Sequence, residues 1–228
     1  MSENNEIVTI VVPCFNETAF ISKFLDNILN FDYPRQLIEV AIVDGNSSDG
    51  TQQVICEFIK AHSSRFFAIQ MLPNSTANKA NALNIGIEST VGSVIMRLDV
   101  HAEYSENYVS TLVNFLKDSK YSNVGAVRHN LSPINGIFPN AVAIILSSKI
   151  GLGNAPQYLT KSGEADSEIV HLFCMRRTLI EHLGKFDTRL IRGQDRDYNG
   201  RVRDAGLLAG VTSAAHSNYF IRTAPRQL

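Results

Sequence analysis

The chain has 228 residues, 44% of them hydrophobic, with 21 Lys and Arg against 22 Asp and Glu for a formal net charge of -1. That apolar content rules out a mainly disordered chain, and the length suits one large α/β domain better than two small ones. With no dense Lys/Arg stripe among aromatics, a nucleic-acid surface has no support, and a small-molecule substrate is expected.

In chain order, Ile7 to Val12 (IVTIVV) is a continuous β-branched run of the kind buried on both faces of a parallel sheet, stopping at Pro13. Thr18 to Leu29 places Ile21, Phe24, Leu25, Ile28 and Leu29 at helical spacing, and Tyr33-Pro34 breaks it. A second strand, Ile38 to Val43, runs into DGNSSDG, where Asp49 and Gln52 resemble a capping box for a helix carrying Val54, Ile55, Phe58 and Ile59. Phe67 to Leu72 predicts a third strand, Asn78 to Glu88 a third helix, and Ser93 to Leu98 a fourth strand. This βαβαβαβ order predicts an α/β fold, a mostly parallel sheet flanked by helices.

Beyond Asp99 the rhythm changes. A helix near Asn107 to Lys117 and a strand near Val124 to Arg128 lead into a Pro/Gly-rich stretch from Ser132 to Gly163. An apolar strand from Ile169 to Met175, a short helix near Arg177 to Leu183 and a polar helix from about Asp195 follow. The expected organisation is a single domain over 1–228, divided into a first half (1–101) and a mixed second half (102–228) with a longer, partly irregular wall.

Cys14, Cys56 and Cys174 are too widely spaced for a metal knuckle and odd in number for a disulfide framework, so a reducing cytoplasm is the expected location. MSENNE is polar and acidic, unlike the basic start of a signal peptide. No apolar run reaches the ~18 residues needed to cross a bilayer. AVAIILSSKIGLG (141 to 153) reads as core, with an interfacial helix as the alternative.

Ligands of open α/β sheets bind beyond the carboxyl ends of the strands, and the loops there begin PCFNE, DGNSSDG, PNSTANK and DVHAEY, all polar. In the last, Asp99 and His101 are spaced i, i+2 in an extended segment and share one side, so both can reach one divalent cation and leave positions open for substrate oxygens. A bare DxH also arises as a turn cap beside a surface histidine. Asp44, ending the second strand, can accept hydrogen bonds from a base edge or ribose, while Gly45 and Asn46 tolerate a tight turn against a ligand.

An EF-hand starting at Asp44 would need Gly at 49 and Glu at 55, where Asp49 and Ile55 stand. PCFNET replaces the GxGxxG of a dinucleotide site, no GxxxxGK[ST] occurs, and a nucleotidyltransferase would show a Gly-rich basic loop there. In IRGQDRDYNGRVRDAG (191 to 206) the charges suit a solvated helix face, yet a carboxylate near the helix start would stay ionised and could act as a general base.

Taken together, VVPCFNE, VDGNSSDGT, NKANALNIGI, RLDVHA, FDTRLIRGQDRD and the helix-ending DAG resemble the family 2 inverting glycosyltransferases of the GT-A fold, in order and spacing over nearly the whole chain. RLDVHA, GLGN and QDRDYNGRVRDAG look most like the glucosyltransferases of succinoglycan-type exopolysaccharide assembly.

The resemblance implies that Pro13, Asn16 and Glu17 line the nucleotide pocket and that Asp44, with Asn46 beside it, contacts uracil or ribose. Lys79 approaches the donor diphosphate, Asn84 joins the nucleotide-binding set, and Arg97 and Asp99 border ribose and diphosphate. Asp99 and His101 take the place of the metal-binding DxD, with His216 as a candidate third ligand. Asp195 matches the catalytic base, and Gln194 stands where an acid usually precedes it. His101 is a softer ligand than a carboxylate, which keeps Mn2+ as plausible as Mg2+.

The implied partners are a UDP-hexose donor and a saccharide or lipid-linked saccharide acceptor, with room for peripheral association at the inner face of the cell membrane. A nucleotide-sugar-binding module without turnover is the alternative.

Overall fold

A computed structural model describes residues 6–132 and 163–220. Among these, β1 (Val8–Cys14), β2 (Ile38–Asp44), β3 (Ala68–Pro73) and β4 (Val94–Arg97) form the parallel part of one sheet, with β1 at its centre between β2 and β4. β8 (Cys174–Arg176) continues it antiparallel to β4 and to β6 (Asn123–Leu131). β9 (Ala209–Phe220) runs parallel to β6, with β5 (Ala102–Tyr104) and β7 (Glu164–Asp166) antiparallel to β9. The α/β sheet is therefore mixed: parallel in its first half, mostly antiparallel in its second.

Side-chain alternation along β1 explains why both faces are covered. Ile10 and Val12 pack with α1 (Ile21–Leu29), α2 (Thr51–His62) and α4 (Tyr108–Asp118), through Phe24, Ile55 and Leu112. Val11 lies on the other side with α3 (Lys79–Glu88), α5 (Arg177–Leu183) and α6 (Gln194–Asp204), through Leu83, Ile180 and Tyr198.

Three elements depart from expectation for reasons their side chains supply. β1 runs through Pro13 to Cys14 rather than stopping before it. Leu98 N donates to Val11 O, so the Val11 backbone faces β4; Pro13, two residues on, points the same way, past the last β4 pair at Val11–Arg97. No ladder partner is there to miss its N–H.

The predicted strand from Ile169 shrinks to Cys174–Arg176 because Asn199 replaces the ladder at Val170: its Oδ1 accepts from Val170 N at 3.2 Å and its Nδ2 donates to Val170 O at 3.1 Å. At α2 the N-cap is Gly50 rather than Asp49; Asp49, one residue earlier, accepts from Thr51 N at 3.1 Å and Thr18 N at 3.0 Å, and Gln52 closes no capping box but turns to Asp44. β9 has no sequence prediction. AVAIILSSKIGLG lies outside the described residues.

Candidate active site

The first two loops at the sheet's carboxyl edge are stitched to each other. Asn16 (φ 51°) and Asn46 (φ 68°) both adopt the left-handed conformation that asparagine tolerates. Asn16 N donates to Ser47 Oγ at 2.8 Å and Asn16 Oδ1 accepts from Ser48 N at 2.9 Å. Asp44 is buried and accepts three bonds: Ser47 Oγ on Oδ1 at 2.6 Å, and Ser47 N at 2.9 Å and Gln52 Nε2 at 2.6 Å on Oδ2. Beside it opens a cleft of about 460 Å³ lined by Asp44, Asn46, Gln52, Met71, Pro73 and Asn74 among others. Pro13 precedes this edge, within β1 and paired with Val43.

A second cluster lies at the end of β4. The buried Arg97 guanidinium clamps Asp99 with Nε to Oδ1 and Nη2 to Oδ2, both 3.0 Å, and reaches Asp195 Oδ1 through Nη1 at 2.5 Å. Lys79 Nζ is 3.4 Å from Asp99 Oδ2. Asp195, in the first turn of α6, also lies 3.3 Å from His171 Nδ1.

Burial pushes both carboxyls up, but their neighbours outweigh it: Arg97, then Lys79, holds Asp99 well below the usual carboxylate range, and Arg97, the His171 hydrogen bond and Lys79 hold Asp195 below it. Both are ionised at neutral pH.

His101 is buried, with Nδ1 3.0 Å from Glu17 Oε1 and Nε2 2.7 Å from the Tyr219 hydroxyl. The same hydroxyl is 3.2 Å from Asp99 Oδ2. Tyr104 fixes the backbone between them, its hydroxyl accepting from Asp99 N at 2.7 Å and donating to Asp99 O at 3.0 Å.

Residues 9–184, well over half of the chain, match the family model described as glycosyl transferase family 2. The chain belongs to glycosyl transferase family 2. This family 2 chain is 28% identical over 225 residues to a dolichyl N-acetyl-alpha-D-glucosaminyl phosphate 3-beta-D-2,3-diacetamido-2,3-dideoxy-beta-D-glucuronosyltransferase of Methanococcus voltae, covering 96% of the chain and 68% of that protein. It is 25% identical over 216 residues to the succinoglycan biosynthesis protein ExoA of Rhizobium meliloti, covering 93% of the chain and 63% of that protein.

Its fold matches the mannosyltransferase PcManGT of Pyrobaculum calidifontis, solved in complex with GDP-Man and Mn2+, with a TM-score of 0.71 at 24% identity, covering 96% of the chain and 58% of the other. The expected GT-A α/β fold is thereby met, and the chain spans about three fifths to two thirds of the length of these proteins.

In this family 2 chain the structure brings Glu17, Lys79, Arg97, Asp99, His101 and Asp195 into one connected cluster, with Asp44 and Asn46 lining the neighbouring cleft and Asn16 bonded to the loop of Asn46 through Ser47 and Ser48. Three residues assigned from the resemblance are not brought there, Pro13 among them because it stays in the β1–β2 pairing opposite Val43. Asn84 spends its amide on the chain before α6, donating to Phe186 O at 2.8 Å and accepting from Phe186 N at 2.9 Å, so it pins a loop rather than facing a nucleotide. His216 alternates with Tyr219 along β9, is exposed, and sits 5.6 Å from the His129 ring. It is on the opposite face from the Asp99–His101 pair and cannot complete their ligand set.

Among the described residues no three His, Cys, Asp or Glu side chains are arranged to hold a metal ion. Asp99 and His101 nevertheless fit a divalent cation as a two-donor site: the Tyr219 oxygen, within hydrogen-bond reach of both, marks a point on which they converge.

Sequence reasoning missed Gln52 as a partner of Asp44, and also Tyr104, His171 and Tyr219. Tyr104 follows DVHAE directly and invited the question; His171 and Tyr219 stand in stretches with no local motif.

Proposed function

We propose that the chain transfers a hexose, with inversion at the anomeric carbon, from a UDP-sugar to a hydroxyl of a glycan or lipid-linked saccharide in surface or exopolysaccharide synthesis. The observation that carries this reading is the buried Arg97 guanidinium bonded to Asp99 on one side and Asp195 on the other. It joins the carboxylate of the diphosphate region to an ionised proton acceptor.

In the reaction, the acceptor oxygen bonds to the anomeric carbon while the bond from that carbon to the diphosphate oxygen breaks, its electron pair leaving with the nucleoside diphosphate. Asp195 takes the hydroxyl proton. Arg97 and Lys79 supply fixed positive charge where the diphosphate departs, and a Mn2+ or Mg2+ ion held by Asp99 and His101 would add to it when bound. The loops around the cleft orient the donor, which lowers the entropic part of the barrier.

The uracil base is supported by lone-pair counting at Asp44. A carboxylate offers about four acceptor positions, and three are taken by Ser47 and Gln52. The remaining one suits the single N–H of a uracil edge, whereas guanine presents two adjacent N–H donors.

A panel of UDP-, GDP- and dTDP-sugars, each with Mn2+, should raise the melting temperature most for a UDP-sugar; equal or greater stabilisation by a GDP-sugar overturns the base assignment. Asp195→Asn should retain UDP binding by calorimetry and lose transfer by at least ~100-fold. Retained turnover removes Asp195 from the base role, and donor binding without turnover in the natural chain makes it a binding module instead.

A further inference from the structure

The Glu17 carboxylate has a partner that a nucleotide-pocket residue does not need. Its Oε1 is 3.0 Å from His101 Nδ1, in a pair where both side chains are about 9% exposed. With the Glu17 oxygen as acceptor, the proton of this contact sits on Nδ1, and the other ring nitrogen, Nε2, is the one that can present a lone pair. Nε2 is the nitrogen that faces Asp99, with the Tyr219 hydroxyl 2.7 Å away and Asp99 Oδ2 3.2 Å beyond that oxygen.

The ring is further confined by edge contacts with Phe20 and Tyr219, at centroid distances of 6.5 and 4.8 Å. Glu17 is itself held through its backbone, whose N–H donates to Thr51 Oγ1 at 2.9 Å independently of the carboxylate. A carboxylate that fixes the tautomer and aim of a histidine is the arrangement that sharpens an imidazole as a metal ligand.

We propose that Glu17 is a positioning residue for His101, orienting Nε2 toward a cation shared with Asp99, rather than a contact to the nucleotide. The Tyr219 hydroxyl holds that nitrogen when no cation is bound. This inference rests on the Asp99–His101 metal reading, so the test separates the two.

Mn2+ binding to the full chain is titrated by electron paramagnetic resonance, with UDP present and without it, for the natural protein, His101→Ala, Glu17→Leu and Glu17→Gln. In parallel, 15N NMR of the metal-free proteins, with the His101 signals assigned by their loss in His101→Ala, reads which ring nitrogen carries the proton.

Glu17→Leu removes the acceptor at similar volume and should weaken Mn2+ binding about 10- to 100-fold while releasing the Nδ1–H signature. Glu17→Gln, whose amide oxygen still accepts, should recover most of the affinity and keep the signature. A role in packing alone would not be rescued in this pattern.

If His101→Ala loses Mn2+ while Glu17→Leu binds it as the natural chain does, the Glu17 assignment is overturned and the metal reading stands. If His101→Ala binds Mn2+ as tightly as the natural chain, the metal reading fails and the Glu17 inference fails with it. An Nδ1 that carries no proton in the natural chain overturns the inference on its own.

Discussion

Asn84 and Asp44 are both buried, polar and close to the sheet's carboxyl edge, yet their bonds give them different work. The Asn84 amide is consumed by the Phe186 backbone, whereas Asp44 keeps acceptor capacity beside an open cleft. Replacing Asn84 by Leu leaves a buried N–H and C=O without partners. The expected cost is on the order of 2–4 kcal/mol in urea unfolding, with UDP affinity unchanged. A fall in affinity at unchanged stability would return Asn84 to the nucleotide site. Motif position alone could not separate the two residues, because an asparagine in a helix after a polar loop reads the same whether its amide faces a ligand or a neighbouring loop.

Helix α3 shows how an element's placement depends on what is absent from it. A methyl group at Gly86 would run into the Val11 side chain, with Val43 Cγ2 only 3.3 Å away, and both belong to the fully buried centre of the sheet. Alanine is the better helix former by up to about 1 kcal/mol, but neither β-branched valine can turn aside. Gly86→Ala should therefore destabilise by roughly 1–2 kcal/mol net, read as a lower urea midpoint; a raised midpoint would mean that α3 can ride outward on the sheet. Since α3 begins at Lys79, such a shift would also move Lys79 away from Asp99.

At the scale of the whole molecule, the two halves of the sheet meet through charge as well as through strands. Arg97 on β4 holds Asp99 just beyond it and Asp195 on α6, and removing the guanidinium takes the main cationic partner from one buried and one partly buried carboxylate. Arg97→Met should cost about 3–5 kcal/mol near neutral pH. Both carboxyls have folded values below the ordinary one, so the unfolded chain takes up protons first as pH falls. The stability they contribute is complete above the ordinary carboxylate value of about 3.9 and is lost as pH drops through their lower folded values. Without Arg97 the same groups protonate at higher pH, and the gap in urea midpoint between Arg97→Met and the natural chain should narrow from pH 7 to pH 4. A gap independent of pH would assign the cost to packing alone.

The parallel half of the fold was legible because its strands are apolar on both faces and its helices periodic, so local pattern and burial agree. The polar positions Asp44 and Asp99 were legible for a related reason, since each stands at the end of an apolar strand; Asp195, in the first turn of a polar helix, was singled out only through the family resemblance. β9 was not legible, since AGVTSAAHSNYF carries no apolar alternation and becomes a strand only through its pairing with β5, β6 and β7. With β9 unseen, the sequence offered His216 as a third ligand, while folding turned that histidine away and brought the Tyr219 hydroxyl to His101. Local chemistry is written in short stretches of chain; which distant side chains share a point in space depends on non-local register, which no short stretch contains.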